Sequence, residues 1–168
     1  MRFDLRYARG ERRGQFLIEA IVAVGVLVVG LLGIFALLSR SLSLGRTVTD
    51  NYAGTYLASE GIEVVKNIID GNIIQGLPWV SGMSDGDFEI EYDTISLLPF
   101  QDRFLGFDPV TSLYSYAGSE TTRFKRVLRL ALIGSPVDEI QVNSVVSWSS
   151  GGGSFSVDLE DHFFNWRP

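Results

Sequence analysis

Gln15–Arg40 reads QFLIEAIVAVGVLVVGLLGIFALLSR, and its central 20 residues, Ala20 to Ser39, carry no charge. At ~1.5 Å rise per residue such a run spans ~30 Å, the thickness of a bilayer's hydrocarbon core. Only a helix satisfies its own backbone polar groups within one crossing segment. The stretch is therefore expected to be a membrane helix, residues 15–39. Upstream stands MRFDLRYARGERRG, with Arg2, Arg6, Arg9, Arg12 and Arg13 against Asp4 and Glu11. A basic flank of this kind puts the N-terminus in the cytoplasm and the rest of the chain outside. A secretory signal has an apolar region of only ~7–15 residues and a small-residue cleavage site after it. Neither condition is met, so the helix is expected to stay in the membrane.

Working outward, the helical pattern continues beyond the apolar run. No proline occurs from Ser39 to Asp70, and Ala53, Leu57, Gly61, Val64, Val65 and Ile68 recur at helical spacing. Ser59, Glu60, Glu63, Lys66 and Asn67 take the opposite face, so this half is amphipathic. Gly71, between Asp70 and Asn72, is the expected stop. One helix from about Phe16 to Ile69 would be ~80 Å long.

After Gly71 the period changes from 3.6 to 2. GDFEIEYDTI, FKRVLRLALI, EIQVNSVVSW and SFSVDLE alternate apolar and polar residues, bounded by SGMSDGD, GFDP, GSPVDE and SSGGGS. SSGGGS, between two alternating runs, is expected to be a hairpin loop. Short connections imply an antiparallel sheet, packed by one face on the amphipathic half-helix. The fold class is α+β: a long N-terminal helix against a C-terminal antiparallel sheet. The expected organisation is a leader at 1–14, a membrane helix at 15–39 and an extracytoplasmic head at 40–168, with helix to residue 70 and sheet from 71.

Composition narrows the function. The 168 residues hold 20 acidic and 14 basic side chains, one histidine and no cysteine. Disulfide scaffolds, thiolate metal sites and cysteine nucleophiles are excluded. The net charge of −6 gives no chain-wide attraction to nucleic acid. None of the nucleophile-elbow, zincin, P-loop or dinucleotide motifs is present. His162, beside Asp161, has no nameable nucleophile or cleft and reads as a surface or edge residue. Asp85, Asp87, Glu89, Glu91 and Asp93 invite a calcium reading, but their alternation suggests a solvated strand face instead. Lys125, Arg126 and Arg129, near Arg123, likewise read as a solvated basic face. No enzyme, cofactor or metal is expected.

Glu19 needs an explanation. A carboxylate at the edge of a spanning helix is costly and points to a partner, unless it reaches the headgroups from the first helical turn. The string around it, RRGQFLIEA, resembles the class III signal of type IV pilins and type II secretion pseudopilins: a basic leader, Gly, apolar residues, Glu, then a long apolar helix. The resemblance implies prepilin peptidase cleavage between Gly14 and Gln15, and methylation of the new amine on Gln15. Glu19 would pair with a neighbouring subunit's N-terminal amine. Gln15 departs from the family's usual Phe or Met, and the helix lacks the proline many pilins carry. Gly25, Gly30 and Gly33 either supply flexibility in its place or allow close helix packing.

LASEGIEVVKNIID, GLPW, RFKRVLRLAL, VVSW and the closing FFNWRP are similar in order and spacing to minor pilins of the PilV type and to I-type minor pseudopilins. The implied partners are other pilin or pseudopilin subunits, the prepilin peptidase, an inner-membrane assembly platform and, before assembly, the lipid bilayer. The implied location is the cytoplasmic (inner) membrane and then an extracytoplasmic filament. Two alternatives remain: a permanently anchored extracytoplasmic binding or sensor domain, and a competence pseudopilin contacting DNA.

Overall fold

The computed structural model describes the backbone of residues 8–166 and the side chains of residues 14–166. The greater part of the expected leader therefore lies outside the described side chains. The chain divides into two compact units, Met1–Arg46 and Thr47–Pro168. The described part of the first is helix, the beginning of α1 (Ala8–Ile74), and its side chains from Gly14 to Arg46 are all exposed. Gly25, Gly30 and Gly33 lie inside it without interrupting the helix.

The second unit is an α+β head, in which the rest of α1 packs on an antiparallel sheet. Its strands are β1 (Gly86–Glu89), β2 (Leu98–Pro99), β3 (Phe104–Asp108), β4 (Leu113–Ser115), β5 (Glu120–Gly134), β6 (Val137–Ser150) and β7 (Gly153–Phe164). β5 is the organising strand. Along one edge it pairs with β6 from Lys125 to Gly134. Leu128–Leu130 also pair with β1, and Lys125 also pairs with Phe104 of β3. β1 and β3 thus share the other edge of β5, each carrying a short outer strand, β2 and β4. β7 pairs with β6 from Ser150↔Gly153 to Glu139↔Phe164. The two-residue turn between them is Gly151–Gly152, both at positive φ (59° and 83°), as a hairpin turn matching strand twist requires. SSGGGS is a hairpin loop.

Leu57, Ala58, Val64, Val65, Ile68 and Ile69 of α1 are buried against Phe124, Leu128 and Leu130 of β5 and Ile140, Val142, Val146 and Trp148 of β6. Each large side chain so buried contributes ~2 kcal/mol, which is what holds the helix to the sheet. Two glycines set the distance of approach. A Cβ on Gly54 would lie 2.6 Å from Trp148 Cζ3, and one on Gly61 would run into Ser144 Oγ. Gly54 and Gly61 are two turns apart on one helix face, so this stripe of α1 runs antiparallel to β6, from Trp148 to Ser144.

Four expectations are corrected. α1 ends at Ile74, not at Ile69 before Gly71. The stop is Gly76 at φ 70°: its N–H donates to Ile73 O (3.1 Å) and Leu77 N–H to Asn72 O (2.9 Å), the Schellman pattern. GDFEIEYDTI is a strand only through Glu89. GFDP does not bound strands, because Gly106–Asp108 belong to β3. The acidic and basic runs are not uniformly solvated, since Glu89 and Arg126 are fully buried.

Candidate functional site

The residues singled out from the sequence lie at the start of α1. Gln15 and Glu19 are four positions apart, so both side chains leave one face of the helix, with Ile18 and Val22 beside them. From Phe16 to Leu44 the large apolar side chains are exposed on every face, including Phe16, Ile21, Leu27, Leu32 and Phe35. A helix apolar all round is stable only in lipid or in a bundle of its own kind. The helix from Gly14 to Ile74 is long enough to cross a membrane and, over an 18-residue window of mean hydropathy 3.0, apolar enough. Gly14 sits inside the helix, and a Cβ there would meet nothing within 4 Å. Glu19 is thus a carboxylate on an apolar surface, with Gln15, Ile18, Val22 and Ala23 as its neighbours among the described residues.

The head's charged residues are instead placed by the fold. Arg126 lies on the core face of β5, in phase with Phe124 and Leu128. Its Nη1 donates to Leu57 O (3.0 Å) and to Glu60 Oε1 (3.1 Å), and its Nη2 donates to Ile90 O (2.7 Å). The guanidinium therefore ties α1 to the segment after β1. Glu89 does the same for the loop before β3. Its Oε1 accepts the N–H groups of Gln101 (3.1 Å) and Arg103 (3.0 Å), and its Oε2 accepts Arg103 Nε (2.7 Å) and Nη2 (2.6 Å). Arg103 in turn lies 4.2 Å from the ring centre of Tyr116. Burial pushes the Tyr116 phenol up to about 12, against the opposing pull of Arg126. Tyr116 Oη, Arg126 Nε and Ser144 Oγ are buried with no hydrogen-bond partner.

Three of the other four acids of the run are likewise engaged. Asp85 accepts Leu132 N–H (2.6 Å), Asp87 meets Arg129 (3.4 Å) and Glu91 accepts Tyr116 N–H (2.8 Å). These acids serve three separate elements and do not converge on a common point. Among the described residues, no group of three or more His, Asp or Glu side chains is arranged to hold a metal ion. Lys125 pairs with Asp102 (2.6 Å) and Arg123 with Asp50 (3.1 Å).

His162 is exposed on the outermost strand, β7, as its sequence context suggests. Nδ1 lies 2.5 Å from Glu139 Oε1 and Nε2 lies 3.1 Å from Glu160 Oε1. Hydrogen bonds to Glu139 and then Glu160 raise its pKa, and bonds from Asn143 and His162 lower that of Glu160. This is an interstrand clamp between β6 and β7. Missed from the sequence were the buried roles of Arg126 and Glu89. For Arg126 the signal was its phase with Phe124 and Leu128; for Glu89 there was none, since its partners lie in a loop.

Comparison with protein-family models, with curated proteins and with solved structures finds no match to this chain.

Proposed function

We propose that the chain is a minor pilin or pseudopilin, a non-enzymatic subunit of a type IV pilus or type II secretion-like filament. The observation that carries this reading is the placement of Glu19. It stands four residues beyond Gln15, on the same face, at the head of a helix with no apolar side chain covered from Phe16 to Leu44. A surface so uniformly greasy gives neighbouring helices no axial register. A carboxylate paired with an amine in low dielectric supplies one, because either charge unpaired is costly there. Prepilin peptidase cleaves after Gly14 in this reading, Gln15 becomes the methylated N-terminus, and the helix leaves the bilayer for a filament core with the head outward. The N-terminus faces the cytoplasm before cleavage. Contact with nucleic acid is disfavoured, since Lys125 and Arg129 each face a carboxylate and Arg126 is buried.

The mass of the N-terminal peptide from membranes and from sheared filaments tests the reading. A chain beginning at methylated Gln15 is expected, and Gly14→Leu should accumulate as full-length precursor. An intact Met1 in all fractions would overturn it and leave a permanently anchored extracytoplasmic domain. Glu19→Val improves the fit to lipid, by as much as ~2.5–3 kcal/mol on insertion scales. It should be inserted and cleaved but largely missing from filaments. Equal incorporation of variant and wild type would mean that Glu19 only reaches for the headgroups.

A further inference from the structure

A cavity of about 580 Å³ opens in the head where the end of α1 meets the end of β7. Its aromatic walls include Trp79, Phe164 and Trp166, and Lys66, Asp70 and His162 also line it. The size falls within the ~300–1,000 Å³ of small-molecule sites. Two of the walls are conspicuous for where they are left. Trp166 is 77% exposed and Phe164 58%, whereas Trp148, in the same domain, is 4% exposed. Large aromatics displayed together at the mouth of a concavity mark a binding surface more often than an accident of packing.

The polar groups restrict what fits. Lys66 has Glu63 at 3.8 Å, and His162 sits between Glu139 and Glu160. Each cation thus has an acidic neighbour already, and Asp70 adds a further negative charge. An anion would find no uncompensated cation and would meet Asp70 directly. A purely apolar occupant would cover Asp70 and Lys66 without replacing their water, which is costly. A ligand with a flat apolar face and a hydroxylated edge meets both demands.

We propose that this cavity binds a neutral saccharide. A pyranose ring lays its C–H face on the tryptophan and phenylalanine rings, while its hydroxyls donate to Asp70 and accept from Lys66. The proposal is independent of the filament reading, because all six residues lie in the head and none touches Gly14 or Glu19.

The test is a titration of the full chain in a zwitterionic detergent, which has no sugar headgroup, with chitotriose and with maltotriose. Tryptophan emission is the readout, since Trp79 and Trp166 line the cavity. Saturable change with either sugar is expected. Trp166→Ala and Asp70→Ala, both at exposed positions, should each weaken it at least tenfold while leaving the far-ultraviolet circular dichroism unchanged. No saturable response to either sugar overturns the proposal. So does a response that survives both substitutions.

Discussion

Replacing Gly61 by alanine places a methyl group in the tightest contact between helix and sheet. The new Cβ would overlap Ser144 Oγ and lie 3.1 Å from Ser144 Cβ and 3.5 Å from Arg126 Cδ. Carbon atoms prefer ~3.5–4.0 Å, and Ser144 is fully buried, so its hydroxyl has nowhere to turn. The helix must move off the sheet, and overpacking of this kind costs ~1–3 kcal/mol. Alanine's better helix propensity returns up to ~1 kcal/mol. The net expectation is a loss of ~1–2 kcal/mol. Ser144→Ala has the opposite sign. It removes a buried hydroxyl with no partner and should gain ~1 kcal/mol. In that background Gly61→Ala meets only the remaining Cβ, and its cost should fall below ~0.5 kcal/mol. The two substitutions are therefore coupled by at least ~0.5 kcal/mol. Urea unfolding of the full chain in detergent, followed by tryptophan fluorescence, measures all four corners of this cycle. A Gly61→Ala cost that is the same in both backgrounds refutes the reasoning.

Glu89→Ala should destabilise the head by ~3 kcal/mol in the same assay: it strands two backbone N–H groups and a guanidinium, the lower end of the range applying because Arg103 is 40% exposed. Protease cleavage near Gln101 should appear first. The His162 clamp should impose a pH dependence. Its raised pKa means that charged His162 stabilises the fold fully below 6.5, a contribution lost as pH climbs through the native value. Glu160, with a lowered pKa, contributes above 4.5 and loses its share as pH falls through its native value. Stability of wild type relative to His162→Gln should therefore be greatest between 4.5 and 6.5, and a pH-independent difference would contradict the clamp. Tyr116→Phe should remove a phenol that ionises at about 12 in an ultraviolet alkaline titration, with no loss of stability, because the hydroxyl has no partner.

What the sequence made legible was whatever repeats with a period. The stripe of Leu57, Val64, Val65 and Ile68, and the alternation through β5, β6 and β7, follow from burying one face of each element. β2 and β4 have no such signature at two and three residues, and Pro99 argues against a strand in β2. These strands exist because β1 and β3 offer open edges to pair with. Gly71 looked like a stop because Asp70 and Asn72 flank it. The chain instead stops at Gly76, where a left-handed turn precedes Pro78 and only glycine is comfortable. Charge misled at Arg126, since an arginine in a strand suggests solvent unless its phase is weighed first. Gly14, Gln15 and Glu19 were legible as a string, and the helix adds only that Gln15 and Glu19 share a face. The cavity was not legible, because Lys66 and Trp166 are brought together only by the fold.

The apolar stripe on α1 also has a history on the ribosome. Leu57 and its core partner Trp148 lie in one cluster but are made roughly ninety residues apart, ~5–20 s at ordinary elongation rates. During that interval the stripe has no strand to cover it, while β5, β6 and β7 are joined by short turns and need nothing upstream to begin pairing. The nascent helix must therefore wait with its greasy side uncovered. If the first half enters a membrane, Glu63 and Lys66, on the outer face of the second, bar that half from following it into the lipid. Substituting Glu63 and Lys66, both exposed, would leave the packing of helix on sheet nearly unchanged and place the hazard in its synthesis.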